Sequence, residues 1–306
     1  MIRDEVGSER VGKALKNLPS VQRIERTTTG VSTEIYRLIL IDNTTYYLRV
    51  GEEGKTLAPE MRAHMLAREK GATVPVIISF EERNVDVGRS ILITDEIPGS
   101  PLSDRKNEIA DQILIQAGRD LARINQIRVD GFGPINTEPG STELNAQHKT
   151  YTEFLLDDVD GKIDKLIESQ LIDEQGANKL RDFIEQNRSQ FEEVHESHLA
   201  HGDFDLTHIF EENNEYTGII DFGEIQGASI YQDLAHFYIY SQKHIDKLVE
   251  GYKQITNLPD DYMRRIRAEA VVFVINKLAR IVEFQPDRLP KFKKLLRVIN
   301  NEVLND

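Results

Sequence analysis

The chain has 306 residues, enough for two domains of ordinary size, and its 39% hydrophobic and 29% charged residues are typical of a soluble globular protein. It contains no cysteine, which excludes disulfides, thiolate catalysis and cysteine-based zinc sites. A formal net charge of −14 argues against a general nucleic-acid binder, because such a protein needs a basic face, and it suits a cationic small substrate.

The sequence also argues against a membrane protein. No apolar run approaches the roughly 18 residues of a membrane span, and residues 1–5 lack the apolar centre of a signal peptide. We therefore expect no membrane partner. A cytoplasmic location is the expectation, and the absence of disulfides is compatible with it.

The first third of the chain predicts one sheet and two helices. Apolar residues at helical spacing predict a helix over residues 5–18. A second helix is expected to begin near Pro59 and to end at Gly71, with Met61 and Met65 on its inward face. Runs rich in β-branched and aromatic residues predict strands over 21–28, 34–41, 45–50, 76–80 and 90–94.

Residues 95–102 interrupt this regularity with two prolines and a glycine, and we place the domain boundary there. The expected domains are an N-terminal lobe, 1–96, and a C-terminal lobe, 97–306. Apolar periodicity makes the second lobe mostly helical. Its predicted helices cover 109–124, 151–169, 173–194, 229–256, 260–284 and 287–304.

The most informative stretch runs from residue 201 to residue 223. Two short apolar strands, 209–210 and 218–220, flank a polar turn and predict a β-hairpin. Asp203 precedes the first strand and Asp221 follows the second, so the hairpin brings the two carboxylates together. One such carboxylate can orient a hydroxyl group and accept its proton, while the other can hold Mg²⁺ on the phosphates of a nucleotide.

This stretch resembles the catalytic loop and the Asp-Phe-Gly motif of the aminoglycoside phosphotransferase and choline-kinase-like family, relatives of the protein kinases. In that family, His-Gly-Asp is followed after four residues by Asn, and then by a hairpin that ends in Asp-Phe-Gly or Asp-Trp. The matching residues here are His201, Gly202, Asp203, Asp221, Phe222 and Gly223. His208 occupies the Asn position, which departs from the pattern. Together with Leu121–Asn125 and Asp233–Ala235, the resemblance covers about residues 21 to 240.

The resemblance implies an α+β, two-lobed protein-kinase-like fold, with an N-terminal antiparallel sheet plus helix and a mostly helical C-terminal lobe. It implies ATP or GTP as co-substrate and Mg²⁺ as cofactor. The nucleotide-binding residues that it indicates are Gly30 and Ser32 in the first strand turn, Arg49 at the end of the third strand, Glu60 as the partner of Arg49, and the backbone at Glu96 and Ile97.

The resemblance also assigns the chemistry. Asp203 is expected to orient the acceptor hydroxyl and to receive its proton, and Asp221 is expected to bind the metal. His208 is a second candidate ligand, although imidazole suits Mg²⁺ poorly. His201 and Asp233 are expected to brace the loop.

The predicted function is transfer of the γ-phosphate of ATP or GTP to a hydroxyl of a small molecule, with a cationic, aminoglycoside-like compound as the leading acceptor. Acidic residues cluster near the loop, namely Asp205, Glu224 and Asp233, and the first two are expected to line the acceptor cleft. Two alternatives stay open: a kinase of a small metabolite such as choline, homoserine, a sugar or a macrolide, and a nucleotide-binding pseudokinase with a regulatory role. The sequence does not give the acceptor, the nucleotide preference or the oligomeric state.

Overall fold

The N-terminal part of the computed structural model, which describes residues 10–12, 15, 21–27 and 34–304, is a five-stranded antiparallel sheet. Its strand order is β1-β2-β3-β5-β4. The strands are β1 (Val21–Arg26), β2 (Glu34–Leu40), β3 (Thr45–Val50), β4 (Ile77–Glu81) and β5 (Ile91–Asp95). All five predicted strands are present, with ends that differ by one or two residues. The helix predicted over 5–18 lies outside the described residues, apart from 10–12 and 15.

Strand β3 lies in the middle of this sheet, between β2 and β5. Leu48 and Val50 are buried in the core on one face, because alternate side chains of a strand point to the same side. Arg49 points to the opposite face, toward the C-terminal part of the molecule. The strand therefore delivers one guanidinium group to the space between the sheet and the later elements.

Helix α1 (Ala58–Glu69) follows β3 and packs with its small residues inward. Ala63 and Ala67 are fully buried and belong to the large C-terminal core. The predicted inward face is wrong, since Met65 is 42% exposed and Met61 is only partly buried. Alanines allow the helix to approach the neighbouring core closely, and the longer methionines lie beside that contact.

The C-terminal part is mostly helical, and its core surrounds the long helix α8. The longer helices are α2 (Asp111–Ile124), α4 (Val159–Glu168), α5 (Glu174–Glu192), α6 (Gln232–Ser241), α7 (Ile245–Lys253) and α8 (Tyr262–Phe284). The shorter ones are α3 (Tyr151–Leu155), α9 (Leu289–Phe292) and α10 (Leu296–Ile299). Single turns of 3₁₀-helix cover Leu102–Asp104, Gln242–His244, Pro286–Arg288 and Lys293–Leu295, and a π-helical turn covers Asn300–Leu304.

Three predicted helices are interrupted in the structure. The helix over 151–169 breaks at Asp158, which has a left-handed backbone with φ of 43°. The helix over 229–256 is divided by the 3₁₀ turn at Gln242–His244. The helix over 287–304 becomes a series of short helical segments. Apolar periodicity continues across such breaks, so it does not reveal them.

Two small sheets complete the molecule. One has the order β11-β10-β6, with β6 (Ser100–Pro101), β10 (Ile209–Glu212) and β11 (Glu215–Ile219). The other has the order β8-β7-β12-β9, with β7 (Phe132–Ile135), β8 (Ala146–His148), β9 (His198–Ala200) and β12 (Gln226–Ala228). Strand β6 pairs with the C-terminal hairpin β10–β11, so residues 100 and 101 belong to the C-terminal part. We propose that the boundary between the two lobes lies between residues 96 and 97, as the sequence predicts.

Across residues 10–12, 15, 21–27 and 34–304, none of the helices combines the length and the apolar character needed to cross a membrane.

Candidate active site

The loop after β9 is held by one buried carboxylate. Asp233, at the start of α6, accepts hydrogen bonds from the backbone N–H groups of His201 and Gly202, both at 2.9 Å, and from Asn125 at 3.0 Å. Gly202 has a φ of +87°, and a Cβ there would lie 1.9 Å from the carbonyl oxygen of Glu224. The structure thus shows Asp233 in the bracing position that the sequence predicts.

His201 braces the same loop from inside. Its side chain is fully buried, and Nε2 lies 2.8 Å from the carbonyl oxygen of Ile220. A carbonyl only accepts, so Nε2 carries the proton, and Nδ1 is then the acceptor for the N–H of Asp203 at 3.4 Å. Burial lowers the pKa of His201, and the nearby His208 lowers it further, so the ring stays neutral. It ties the loop to the end of the hairpin.

Asp203 projects from this braced loop with a side chain that is 44% exposed. Burial tends to raise its pKa, but His236, His208 and Lys277 outweigh burial and hold the pKa well below its usual range. The carboxylate is therefore ionised at neutral pH. The structure provides a half-exposed anion on a braced loop. Such a carboxylate can accept a hydrogen bond from the hydroxyl group of a small molecule.

His208 lies between the two candidate carboxylates. Its Nδ1 is 2.6 Å from the backbone oxygen of Asp203, and its Nε2 is 3.9 Å from Oδ2 of Asp221. Because the carbonyl requires a donor, Nδ1 carries a proton in every state of the ring, and the neutral ring directs its Nε2 lone pair toward Asp221. The hairpin β10–β11 thus brings Asp203, His208 and Asp221 to one place.

Asp221 follows β11 in a left-handed backbone conformation with φ of 69°. Its Oδ1 lies 2.5 Å from Nη2 of Arg49. Burial tends to raise its pKa, but Arg49 and His208 lower it to about 2. Asp221 is therefore an anion that already has one cationic partner.

Arg49 also contacts Glu60, as the sequence predicts, with Nε 3.3 Å from Oε1. Both side chains are almost fully buried. Burial, and to a smaller extent the charge of Asp221, raise the pKa of Glu60 to about 7 against the opposing effect of Arg49. One guanidinium group thus lies between two carboxylates, and its own pKa is raised by both of them despite burial.

The remaining predicted nucleotide residues lie at the sheet edge or outside the described residues. The side chain of Glu96 lies 3.2 Å from the hydroxyl of Tyr47 and 3.4 Å from Nη2 of Arg37. Ile97 is buried beside Gly218 of β11. Gly30 and Ser32 fall outside the described residues. Contact of these four residues with a nucleotide stays a prediction.

Charges of both signs lie near Asp203. Glu224 interacts with Asp203 and with Arg280, and burial, followed by the charge of Asp203, raises its pKa. Lys277 of α8 is half-buried, and burial lowers its pKa although Asp203 raises it. Asp233 of the same acidic cluster is 1% exposed, and its oxygens accept hydrogen bonds from the loop.

Asp205 is largely taken up by its own turn. Its Oδ1 accepts from the N–H of Thr207 at 2.7 Å and lies 3.8 Å from Nδ1 of His208. Its side chain is 18% exposed. Of the two acidic residues expected to line the acceptor cleft, Asp205 and Glu224, only the side chain of Glu224 has no hydrogen bond or ion pair among the described residues.

Sequence reasoning missed two residues next to Asp203. His236 of α6 has Nε2 3.3 Å from Oδ1 of Asp203. Lys277 has its Nζ 5.5, 5.6 and 5.9 Å from the ring centroids of Tyr240, Phe273 and Phe292, with no hydrogen bond or ion pair in the described part of the chain. The sequence could have indicated Lys277, because it is a lysine on the apolar face of a buried helix and lysines are rarely buried without a partner.

Residues 23–268 match the model of a family described as the phosphotransferase enzyme family. This chain belongs to that family. The match contains the catalytic loop, the hairpin and Arg49, and it confirms the recognition made from the motifs. No curated protein matches the sequence.

Similar solved structures have the same fold. A thermostable mutant of the aminoglycoside phosphotransferase APH(4)-Ia, in its apo form, superposes with a TM-score of 0.66 at 14% identity, covering 96% of this chain and 99% of that one. The amicoumacin kinase hAmiN, in complex with AMP-PNP, Ca²⁺ and Ami, superposes with a TM-score of 0.66 at 12% identity, covering 98% and 95%. The two-lobed protein-kinase-like fold predicted from the sequence is therefore confirmed.

Proposed function

We propose that this phosphotransferase moves the γ-phosphate of ATP or GTP to a hydroxyl group of a small molecule. The observation that carries the proposal is the arrangement of Asp203, His208 and Asp221 at the base of one hairpin, with Arg49 reaching the same point from the sheet. Phosphoryl transfer requires positioning, cationic charge and a proton acceptor, and these residues can supply all three. Relatives solved with AMP-PNP support a nucleotide co-substrate.

In this proposal Asp203 orients the acceptor hydroxyl. Its lowered pKa makes it ionised but a weak base, so it fits a reaction in which the proton leaves late. The hydroxyl would donate to the carboxylate while its oxygen attacks the γ-phosphorus atom, and Asp203 would take the proton as the new bond forms. The bond from the γ-phosphorus to the β–γ bridging oxygen would break, and ADP or GDP would leave. His201 and Asp233 keep the loop in one conformation throughout.

Asp221 and His208 fit a divalent metal ion in part. Asp221 offers a carboxylate oxygen and neutral His208 offers the Nε2 lone pair. The described residues contain no group of three or more acidic or histidine side chains that could hold a metal, so phosphate oxygens would provide most of the ligands. A bound Mg²⁺ would neutralise the charge of the phosphates.

Arg49 is proposed to grip the phosphates. Glu60 fixes its Nε edge, which leaves the Nη groups directed toward Asp221 and the proposed phosphate position. An Arg can form two parallel hydrogen bonds to a phosphate. Gly30, Ser32 and the backbone at Glu96 and Ile97 complete the proposed nucleotide site.

The leading acceptor is a cationic, aminoglycoside-like compound. Glu224, beside Asp203, supports this assignment, as does the net charge of −14. A relative in the family was solved with AMP-PNP and hygromycin B. A small metabolite is the second candidate, and Lys277 favours it, because an unpaired half-buried ammonium group suits a neutral or anionic substituent.

A screen for nucleotide consumption tests the proposal. The wild-type chain is incubated with Mg²⁺-ATP or Mg²⁺-GTP and with a panel of amino-sugars, neutral polyols and hydroxylated acids, and labelled product is separated. We expect consumption that depends on the acceptor. Nucleotide binding without consumption for any acceptor would favour the pseudokinase alternative instead.

A further inference from the structure

His236 occupies a buried position directly behind Asp203. Its side chain is 1% exposed, and Nδ1 lies 3.0 Å from the backbone oxygen of Phe204. Nε2 lies 3.3 Å from Oδ1 of Asp203. This second contact is a close approach rather than a well-aligned hydrogen bond, and Nε2 has no other partner in the described ranges. A buried ring nitrogen is thus directed at the proposed catalytic carboxylate.

The ring of His236 has little freedom to move. Its ring centroid lies 4.9 Å from that of Tyr240, one helical turn later, with the two rings tilted at 47°, and it meets Phe273 of α8 edge-on at 5.0 Å. Because residues three apart lie on the same helix face, Asp233 and His236 point to the same loop. Asp233 holds the backbone before Asp203, and His236 holds the backbone after it.

The partners of His236 define its protons. The carbonyl of Phe204 and the carboxylate of Asp203 are both acceptors, so a ring nitrogen can bond to each of them only as a donor. A proton on Nε2 lets the ring donate to Oδ1 of Asp203.

We propose that His236 is a positioning residue, which holds Oδ1 of Asp203 from the buried side and leaves Oδ2 for the acceptor hydroxyl. Oδ2 has no hydrogen bond or ion pair within the described residues. The inference rests on the proposed function, because it gives Asp203 the acceptor-orienting role. A fixed carboxylate matters for rate, since a displacement of about 1 Å can cost about 100-fold.

Three variants test the inference. His236→Leu removes both donors, and His236→Gln keeps an N–H donor in a side chain of similar reach. His198→Gln is the matched control, because Nδ1 of His198 also faces a carbonyl, that of Asn125 at 2.6 Å, while its Nε2 faces Arg128 at 3.2 Å. Steady-state kinetics on the best acceptor of the screen are compared after thermal melts confirm folding.

We expect kcat to fall about 10- to 100-fold in His236→Leu, with KM for the nucleotide unchanged. His236→Gln is expected to recover part of this loss, and the control to retain wild-type kcat. A purely structural role would lower stability without changing kcat in the folded fraction. Wild-type kcat in both His236 variants would overturn the inference.

A second measurement is independent of turnover. The ¹⁵N shift of Nε2 of His236 is expected to show a proton on that nitrogen in the wild type. An unprotonated Nε2 would contradict the contact with Asp203. If the wild type transfers no phosphate, the proposed function fails, and the ring shifts still decide whether His236 donates to Asp203.

Discussion

Nη2 of Arg49 lies 2.5 Å from Oδ1 of Asp221 and joins the end of β3 to the end of the hairpin β10–β11. The same side chain contacts Glu60 through Nε, so one cation serves two carboxylates. The pair connects the N-terminal sheet to the proposed metal ligand. A metal ion on Asp221 would therefore bind next to a guanidinium group, and phosphate oxygens are the anions that can satisfy both.

The first prediction concerns Asp221. In Asp221→Ala, Mg²⁺-ATP is expected to lose its stabilising effect, because a ligand raises stability only through its binding to the folded state. The measurement is the melting temperature with ATP, with and without Mg²⁺, in both proteins. ATP without metal serves as the control within each protein. An equal rise with Mg²⁺-ATP in variant and wild type would exclude Asp221 as the ligand.

The second prediction concerns the histidine at the position where the family has Asn. Imidazole suits softer divalent ions better than Mg²⁺, so the wild type is expected to use Mn²⁺ or Co²⁺ comparatively well. His208→Asn should shift the preference toward Mg²⁺, since an amide offers an oxygen. The ratio of kcat with Mn²⁺ to kcat with Mg²⁺ is measured for both proteins. An unchanged ratio would place His208 outside the metal shell.

The third prediction concerns the charge of the acceptor. Glu224→Gln is expected to weaken binding of an amino-sugar more than binding of the nucleotide, and affinity should fall with ionic strength, because exposed charges are screened over about 8 Å at physiological salt. Lys277→Met removes the opposing cation and should strengthen binding of the same amino-sugar. Acceptor and nucleotide KM are compared across salt concentrations. Faster turnover of neutral compounds, without salt dependence, would support the metabolite alternative.

The fourth prediction concerns stability and the buried carboxyl of Glu269. It accepts from Tyr151 at 2.8 Å and from the hydroxyl of Ser229, and burial raises its pKa to about 7 from 4.5. At a pH between 4.5, the usual pKa of Glu, and about 7, its pKa in the folded protein, the unfolded chain has lost a proton that the folded chain keeps. The free energy of unfolding therefore falls as the pH rises through this range. The shift corresponds to about 3 kcal/mol.

Glu269→Gln is expected to remove this dependence. The free energy of unfolding in urea at pH 5 and pH 8 is compared between the two proteins, because the difference isolates Glu269 from Glu60, whose raised pKa acts in the same direction. At pH 8 the free energy of unfolding of the variant should rise relative to that of the wild type. A constant difference at both values would show that Glu269 titrates normally in the folded protein.

The hairpin and its two carboxylates could be predicted because the information is local. Asp203, His208 and Asp221 lie within one turn-and-strand pattern, and a strand–turn–strand sequence dictates which ends meet. The pair of Arg49 and Glu60 is not local, and only the family resemblance indicated it. Gly30 and Ser32 belong to the same resemblance and remain predictions.

Other features depend on packing that no local pattern contains. The predicted inward face of α1 is wrong because the prediction rests on its large apolar residues, whereas Ala63 and Ala67 are the residues that pack in the core. His236 and Lys277 reach Asp203 from helices that follow it in the chain, and their side-chain directions follow from the packing of α6 on α8.

The fifth prediction tests the central claim, that Asp203 orients and deprotonates the acceptor hydroxyl. Asp203→Asn keeps the size of the side chain and removes its charge, so the variant should stay folded and its nucleotide affinity should stay close to wild type. The decisive measurement is single-turnover transfer of labelled γ-phosphate to the acceptor by Asp203→Asn and wild type. We predict a loss of about 100-fold or more in the variant. Transfer at the wild-type rate would contradict the account.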